Sequence, residues 1–405
     1  MIITKTNQPV KRGALLALLL VSVFVLNAQT KVSTLKFKTF NNLVFLKAKV
    51  NDSAEMTFIL DTGASSCVLN ESTSKKLGLK TVSGDKVDTG GGDVDAVYVK
   101  NAAIEITSDF TLKNLSLAVI DLSGLEKSIG EKIDGVIGYE AFQNAVVKID
   151  YQNKLLTFFP KDKFVYRGKG EIIPFVIEDV FPFVEVKLTS INGIETQAKL
   201  MIDVGGASNA ISLYTDFVNK NQLIKANSPT IPLTYGAINV GKSTGEVGRL
   251  KTLQIGKIVY QSPLVNFSQT TQGSETDTSY AGILNAPFLS KFTCFIDYQK
   301  KQLILEQNAS YNTLLEFDMS GISLIASGEN LDIYTVRQVL NNSSAAKADI
   351  RKGDIIEKIN GKPSSAYRLS EIRKMFSSKR NSIITLQLRR ADKFLVKKIT
   401  LTKAV

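Results

Sequence analysis

The sequence predicts a mainly β protein made of two similar lobes followed by a small α+β unit. Three observations predict this: a segment that occurs twice, short apolar runs separated by turn residues, and a change of charge towards the C-terminus. A chain of 405 residues is too long for one hydrophobic core, and with 44% apolar residues it can fill several.

The duplication is visible in two pairs of stretches. IDGVIGYEAFQNAVVKIDYQNKLLTFF (Ile133–Phe159) matches YAGILNAPFLSKFTCFIDYQKKQLILE (Tyr280–Glu306), and farther upstream MTFILDTGASSCVL matches KLMIDVGGASNAISL. The second match aligns Asp61 with Asp203, 142 positions later. The same elements therefore occur twice in the same order, in units of about 135 residues, which is the size of a compact lobe.

Both copies have the pattern of β proteins. Runs rich in Val, Ile, Leu and Phe, such as Leu43–Val50 and Phe181–Gly193, alternate with clusters of Gly, Asn, Asp and Ser. Short helices are predicted at Ser72–Leu79 and Tyr214–Asn221, one after each aspartate.

The C-terminal unit is set apart by its charge. Leu331–Val405 contains seventeen Lys or Arg and six Asp or Glu, a net charge of +11 out of +12 for the whole chain. Such a surface favours acidic peptides or anionic partners, although a solvated basic face is an equally simple interpretation.

The N-terminus has the pattern of a secretory signal peptide. Lys5, Lys11 and Arg12 precede the apolar run Ala14–Leu26, and cleavage is expected after Ala28. The run is short for a transmembrane helix, so an uncleaved anchor is the weaker alternative. We expect an exported protein, periplasmic or extracellular, without stable membrane insertion after cleavage.

Composition excludes several kinds of active site. The chain has no histidine, so it has no Ser-His-Asp or Cys-His nucleophile and no zinc site that needs imidazole. Cys67 and Cys294 lie in apolar runs and are interpreted as buried hydrophobic residues. No metal or organic cofactor is expected.

The paired aspartates suggest a different chemistry. Two carboxyl groups that share one proton can activate a water molecule and protonate a carbonyl oxygen at the same time. Gly63 and Gly205 lack a Cβ and let backbone N–H groups approach Asp61 and Asp203. The Thr62 hydroxyl can bond to the backbone of the other copy. The site is therefore expected between the two lobes.

These residues carry a resemblance to a known family. Asp61-Thr62-Gly63-Ala64-Ser65 and Val136-Ile137-Gly138 resemble motifs of the retropepsin-like and pepsin-like aspartic proteases, over roughly Val32–Gln307. The resemblance implies two pseudo-symmetric β-barrel lobes, an exported bacterial aspartic endopeptidase, a polypeptide substrate, and catalytic roles for Asp61 and Asp203. It also implies residues that support the catalytic loops, namely Thr62, Gly63, Ala64, Ser65, Gly138, Val204 and Gly205.

Two further motifs need interpretation. Asp88-Thr89-Gly90 repeats the tripeptide, but polar residues precede it and Gly91-Gly92 follow. This composition suits a hairpin tip, and by resemblance to the family we predict a substrate-covering flap at Thr89, Gly90, Gly91 and Gly92, with an ordinary surface turn as the alternative. Gly236–Ser243 matches the residue pattern of a phosphate-binding loop. A strand rather than a helix is predicted after it, so we do not interpret it as one.

The second copy departs from the family pattern. In the alignment of the two copies, Val204 replaces Thr62 and Asn285 replaces Gly138. The Asp203 motif is expected to align with the Asp61 motif only with a gap. A displaced carboxyl would impair catalysis. The alternative function is therefore a catalytically impaired pseudoprotease that acts as a peptide-binding module.

The C-terminal unit resembles a PDZ domain. The resemblance lies in MSGISL (Met319–Leu324) and SSAAKADIRKGDIIEKING (Ser343–Gly361), and it implies short helices at Ala345–Ile350 and Leu369–Phe376. It implies binding of peptide C-termini, or of acidic peptides, with the carboxylate held by the loop Ser320, Gly321, Ile322 and Ser323. A scaffold led by this unit is a third possible function. Nucleic acid is not expected as a partner. The predicted domains are a signal peptide (1–28), two protease lobes (29–165 and 166–310) and the PDZ domain (311–405).

Overall fold

The computed structural model describes residues 31–84, 87–88, 93–94, 96–207, 209–235 and 243–404. The predicted signal peptide lies outside these residues. The described chain is mainly β, as predicted, and consists of two similar β halves followed by a small α+β unit. No helix in the described part is both long and apolar enough to cross a membrane.

The described residues of the first half form thirteen strands, three α-helices and a 3₁₀ helix at Lys161–Lys163. Its elements are β1 (Ser33–Lys36), β2 (Lys38–Phe40), β3 (Leu43–Val50), β4 (Met56–Leu60), β5 (Val68–Asn70), α1 (Glu71–Lys76), β6 (Val82–Ser83), β7 (Val87–Asp88), β8 (Asp93–Val94), β9 (Val97–Thr107), β10 (Phe110–Ile120), α2 (Ser123–Ile129), β11 (Gly135–Ile137), α3 (Tyr139–Asn144), β12 (Ala145–Asp150) and β13 (Leu155–Pro160).

The second half repeats most of this order, with a 3₁₀ helix at Ser274–Thr276. Its elements are β14 (Glu171–Pro174), β15 (Val176–Glu178), β16 (Phe181–Thr189), β17 (Glu195–Asp203), β18 (Ile211–Leu213), α4 (Thr215–Lys220), α5 (Leu223–Ala226), β19 (Ile231–Tyr235), β20 (Ser243–Arg249), β21 (Thr252–Ile255), β22 (Ile258–Gln261), β23 (Leu264–Ser268), β24 (Gly282–Asn285), α6 (Ala286–Leu289), β25 (Phe292–Asp297) and β26 (Gln302–Gln307).

The third unit has its own hydrophobic core and a 3₁₀ helix at Ser364–Ala366. Its elements are β27 (Ile322–Ser327), β28 (Ile333–Val339), α7 (Ser344–Lys347), β29 (Ile355–Ile359), β30 (Lys362–Pro363), α8 (Leu369–Phe376), β31 (Ile383–Arg390) and β32 (Lys393–Thr400).

The two halves have the same strand order. One sheet runs β3-β4-β11-β5-β10-β9, and the other runs β16-β17-β24-β18-β23-β20. The long hairpin β9–β10 of the first half corresponds to β20–β21 and β22–β23, where each strand is divided in two. In both halves the strand that leads to the aspartate pairs in parallel with a short strand, β11 or β24.

A third sheet joins the halves. The repeated IDYQ segments end strands β12 and β25, and these two strands pair antiparallel at the centre of a six-stranded sheet. Ile149 lies opposite Cys294, and both side chains are fully buried. The halves thus share backbone hydrogen bonds and one continuous hydrophobic core.

The strands that lead to the aspartates are anchored by buried side chains. Phe58 and Leu60 on β4 and Leu200 and Ile202 on β17 are 0% exposed. Burying each such side chain stabilises the fold by about 1.5–3 kcal/mol. Both aspartates therefore follow backbone that is fixed by packing.

The predicted elements are found with small shifts. Strand β3 has the predicted bounds, and so does α8, in which Leu369, Ile372 and Phe376 form one buried face. The helices predicted at Ser72–Leu79 and Ala345–Ile350 are shorter and begin one residue earlier, as α1 and α7. The helix predicted at Tyr214–Asn221 is α4, one residue shorter at each end.

Candidate active site

Asp61 and Asp203 lie together between the two halves. Asp61 follows β4 and donates its backbone N–H to the carbonyl of Ile137, while Asp203 ends β17 opposite Asn285 of β24. Their carboxyl groups are hydrogen-bonded to each other. The structure thus brings together the two side chains that the repeat aligned.

Glycines make this approach possible. Gly63 and Gly205 each donate a backbone N–H to the Oδ1 of the aspartate two residues earlier, at 2.7 Å in both cases. A Cβ on Gly205 would lie 2.2 Å from Asp61 Cγ, and one on Gly63 would lie 3.2 Å from Asp203 Cγ. Each glycine is therefore packed against the carboxyl group of the opposite half.

The Thr62 hydroxyl links the two halves below the aspartates. It donates to the carbonyl of Ile202 at 2.7 Å and accepts the N–H of Val204 at 3.0 Å. Thr62 is only 1% exposed, so the bonds form away from solvent. Val204, which aligns with Thr62 in the second half, is fully buried. It has no hydroxyl and so cannot form the corresponding hydrogen bonds to the first half.

The expected gap does not fall within the Asp203 motif. Gly205 repeats the hydrogen bond of Gly63, and the carbonyl of Gly206 accepts the N–H of Ala286 as the carbonyl of Ala64 accepts that of Tyr139. Asp203 lies 142 positions after Asp61, whereas Leu213 lies 144 after Leu69 in the same register. The two additional residues therefore lie after Gly206, and Asp203 is not displaced.

The exchange of Gly138 for Asn285 is compensated by a second exchange. A Cβ on Gly138 would lie 2.7 Å from the carbonyl oxygen of Ala64, so the first half needs glycine there. In the second half Gly206 replaces Ala64, and a Cβ on Gly206 would lie 2.2 Å from Asn285 Oδ1. In the first half the glycine of this contact is Gly138 and its larger partner is Ala64. In the second half the glycine is Gly206 and its larger partner is Asn285.

Asn285 also holds the longer loop of the second half. Its Nδ2 donates to the carbonyl of Asn209 at 3.1 Å and to Ser212 Oγ at 3.0 Å. The side chain is 2% exposed. The amide thus satisfies backbone and hydroxyl acceptors in the segment that contains the two additional residues.

Burial controls the protonation of the pair. Burial raises the pKa of Asp203 well above its usual value, and the negative charge of Asp61 raises it further. Burial also raises the pKa of Asp61, while hydrogen bonds from Asp203 and from the backbone of Gly63 and Ala64 oppose that rise. The proton shared by the pair therefore favours Asp203, and Asp61 is the side that ionises first.

The pair opens into a cleft of about 730 Å³. Its walls carry apolar side chains from both halves, and the second half also contributes acidic residues. The apolar residues are Ile120, Leu122, Phe183, Tyr214 and Tyr280, and the acidic ones are Glu178, Asp179 and Asp277. None of the described residues that line it is lysine or arginine. The cleft therefore suits a peptide with large apolar side chains, and its carboxylates disfavour an acidic one.

The remaining predicted site residues are placed as follows. Ala64 and Ser65 line the cleft, and Gly138 packs against the loop that follows Asp61. Thr89, Gly90, Gly91 and Gly92 lie outside the described residues, although the flanking strands β7 and β8 pair antiparallel. The Gly236–Ser243 segment is also outside them except for Ser243, which begins a strand.

The loop predicted to hold a peptide carboxylate directs several backbone N–H groups towards one point. The backbone N–H groups of Ser320, Gly321 and Ile322 converge on one carboxylate, that of Asp318, with the shortest bond at 2.6 Å from Gly321. Gly321 has φ of 77°, a conformation that favours glycine. Ser323 lies in β27.

Sequence reasoning missed several residues. The aromatic wall of the cleft is formed by Tyr214 and Tyr280, whose rings are 5.1 Å apart; Tyr280 lies 77 positions after Asp203, and no local pattern links it to the site. The Asp318 contact has a local signal, because an aspartate two residues before Ser320 commonly accepts bonds from the following N–H groups.

Comparisons with known families agree with the geometry in outline. Residues 46–141 match a family model described as aspartyl protease, and residues 335–390 match one described as PDZ domain. The first match includes Asp61 and Gly138 and ends before Asp203. No curated protein matches the chain. The chain therefore carries an aspartyl protease domain and a C-terminal PDZ domain.

Proposed function

We propose that the protein is an exported aspartic endopeptidase in which Asp61 and Asp203 hydrolyse peptide bonds with an activated water molecule. The hydrogen-bonded pair of carboxyl groups at the base of the cleft, buried at Asp203 and half-buried at Asp61, is the observation that carries this proposal. The protease lobes are proposed at 29–165 and 166–310. The region 311–405 is proposed as the PDZ domain.

The chemistry follows from the unequal protonation of the pair. The ionised Asp61 removes a proton from water, the water oxygen attacks the carbonyl carbon, and Asp203 gives its proton to the carbonyl oxygen. This yields a neutral tetrahedral diol. Asp61 then passes its proton to the amide nitrogen while Asp203 takes a proton from one diol hydroxyl, the C–N bond breaks, and the pair returns to its starting state.

The glycine and threonine contacts support this role. Gly63 and Gly205 each donate an N–H to Oδ1 of the aspartate of their own half, and Thr62 fixes the relative position of the two loops. A site with these fixed donors needs little rearrangement when charge moves during the reaction. The residues around Gly91 are proposed as the flap that covers the substrate.

The basic and apolar N-terminal segment supports export to the periplasm or the cell exterior, with cleavage after Ala28. The apolar walls of the cleft support substrates with large apolar side chains beside the cleaved bond. Unfolded polypeptides offer such residues in extended form.

A second function, peptide holding without hydrolysis, is favoured by one observation. Val204 cannot form with the first half the hydrogen bonds that Thr62 forms with the second, so the loop that contains Asp61 is held by fewer cross-bonds. In that case peptides would enter the cleft and leave intact.

The test is cleavage of unfolded casein and of a quenched fluorescent peptide library by the purified protein at several acidic pH values. We expect Asp61→Asn and Asp203→Asn each to reduce kcat/KM by about a thousandfold or more. Asp216→Asn, an exposed aspartate of the second half, is the control and should retain activity. Wild-type rates in either active-site variant would overturn the two-aspartate mechanism. Tight binding of a pepstatin-type inhibitor together with intact peptide products would favour the holding function.

A further inference from the structure

The PDZ unit has a groove between β27 and α8. Strand β27 is at the edge of its sheet and pairs with β28 on one side only among the described strands. Leu324 of β27 and Ile372 of α8 belong to the same buried cluster below the groove. A peptide that added to this unit would pair with the open edge of β27.

A segment of the protease domain lies against that edge. Helix α2 packs directly on β27, although the two are separated by nearly two hundred residues in the chain. Gly130, which ends α2 with φ of 80°, packs against Leu369 at the start of α8. A Cβ on Gly130 would lie 2.6 Å from Leu369 Cβ, so the contact leaves no space for a side chain.

Polar contacts hold the same interface. Arg373 of α8 donates from Nη2 to the carbonyl of Ser128 in α2 at 2.7 Å and to the carbonyl of Leu324 in β27 at 3.2 Å. Arg368 Nη1 donates to both carboxylate oxygens of Glu131 at 2.6 and 2.7 Å. Both contacts come from one nitrogen of a half-exposed arginine, so solvent screens this pair and its contribution is that of a partly exposed ion pair.

The carboxylate-binding end of the groove is also filled from within the chain. The N–H groups of Ser320, Gly321 and Ile322 already bond the Asp318 carboxylate, which is the group that a peptide C-terminus would supply. The carbonyl of Leu324, an acceptor for an added strand, already receives Arg373. The loop N–H groups and the strand carbonyl that would bind a peptide are thus already hydrogen-bonded within the chain.

We propose that the PDZ groove takes a segment of its own chain, residues 123–131, as its ligand, and that this docking holds one wall of the protease cleft in place. The wall is continuous with the docked helix, since Ile120 and Leu122 line the cleft immediately before α2. Leu122 donates its N–H to Asn70 Oδ1 at 3.4 Å, and Glu126 of α2 accepts the N–H of Ile133 at 3.0 Å. These two bonds lie within the first half, so release of α2 from β27 removes one support of the cleft wall, leaves the others in place, and opens the groove.

The consequence for activity rests on the proposed peptidase function, but the docking does not. Undocking is expected to raise KM more than it lowers kcat, because it moves a substrate-contacting wall and leaves the aspartate pair in its own packed core. A free peptide must displace residues 123–131 from the groove, and its carboxylate must also replace that of Asp318 in the loop, in the wild type and in any undocked variant alike.

The test uses hydrogen–deuterium exchange on the full protein. In the wild type, residues 123–131 and 322–327 should be protected together. Glu131→Arg places two arginines face to face, and it should speed exchange in both segments by about tenfold, equivalent to about 1.4 kcal/mol. The double variant Glu131→Arg with Arg368→Glu swaps the two charges and keeps the ion pair, so it should restore the protection of both segments from exchange.

Glu71→Arg is the matched control, because it reverses an exposed ion pair with Lys75 in the same half and should leave both segments unchanged. The second measurement is anisotropy with a fluorescein-labelled decapeptide that ends in a free-carboxylate valine. It should bind Glu131→Arg at least about tenfold more tightly than the wild type. Unchanged exchange in Glu131→Arg would overturn the proposal, as would peptide binding to the wild type without loss of protection in residues 123–131. Neither measurement depends on catalysis, so an inactive protein could still confirm the docking.

Discussion

The Thr62 hydroxyl and the Val204 backbone N–H form a 3.0 Å hydrogen bond that joins the two halves of the protein directly beneath the aspartates. The same hydroxyl donates to the carbonyl of Ile202. One side chain of the first half thus satisfies two buried backbone groups of the second, with no equivalent contact from Val204 in the opposite direction.

The first prediction concerns this asymmetry. Thr62→Val should lower the free energy of unfolding by about 1–3 kcal/mol, because it leaves the Ile202 carbonyl and the Val204 N–H buried and unpaired. Val204→Thr should be neutral or raise it by about 1 kcal/mol, since the new hydroxyl can reach the backbone of the first half. Chemical denaturation measures both. A Thr62→Val variant as stable as the wild type would contradict the structural role of the hydroxyl.

The second prediction concerns the glycines of the site. Gly205→Ala should reduce kcat/KM by about a hundredfold or more, because its Cβ would lie 2.2 Å from Asp61 Cγ and would displace that carboxyl. Gly63→Ala should cost less, since its closest contacts would be 3.2 Å. Steady-state kinetics with a quenched peptide compares the two, and equal losses would show that the crowding is not what limits activity.

The third prediction concerns the exchanged residues Gly206 and Asn285. Gly206→Ala alone should destabilise the protein, because its Cβ would lie 2.2 Å from Asn285 Oδ1. Asn285→Gly alone should also destabilise it, through loss of the bonds to Asn209 and Ser212. The double variant recreates the Ala64 and Gly138 pairing of the first half, and its total cost should be smaller than the sum of the two single costs. Additive effects in thermal unfolding would argue against a compensated contact.

The fourth prediction concerns pH. Burial raises the pKa of both aspartates above the ordinary 3.8, so both limbs of a bell-shaped kcat/KM profile should lie above that value. The same pKa shifts determine whether the free energy of unfolding rises or falls with pH. The folded protein keeps a proton on Asp203 that the unfolded chain has released, so the free energy of unfolding falls as pH rises from 3.8 through the raised pKa.

Asp203→Asn tests that sign, because asparagine keeps an acceptor for the Gly205 N–H and cannot ionise. The variant should be inactive but more stable than the wild type near neutral pH, and the difference should shrink as pH falls towards 3.8. Thermal unfolding between pH 4 and 8 measures this. A variant less stable than the wild type at every pH would reverse the assignment of the shared proton.

The sequence predicts the local features of this fold better than the contacts between distant parts. The strand Leu43–Val50, the helix Leu369–Phe376 and the alignment of Asp61 with Asp203 each follow from a local pattern or from the repeat. The compensation at Asn285 could not be predicted, because an alignment shows Gly138 lost and does not show that the packed neighbour changed as well. The contact between Arg373 and Ser128 spans 245 positions, and no pattern in either segment indicates the other.

The six-stranded sheet shared by the halves has a consequence for how such a protein is assembled. Strand β12 finds its neighbour in β25, so a chain that ended after Pro160 would carry an open strand edge beside a single carboxyl group. Two such fragments could close that edge on each other about a twofold axis and bring their aspartates together. A homodimer of the first half is therefore the simplest ancestor for this architecture, with the linker between the halves as a later fusion of two identical partners.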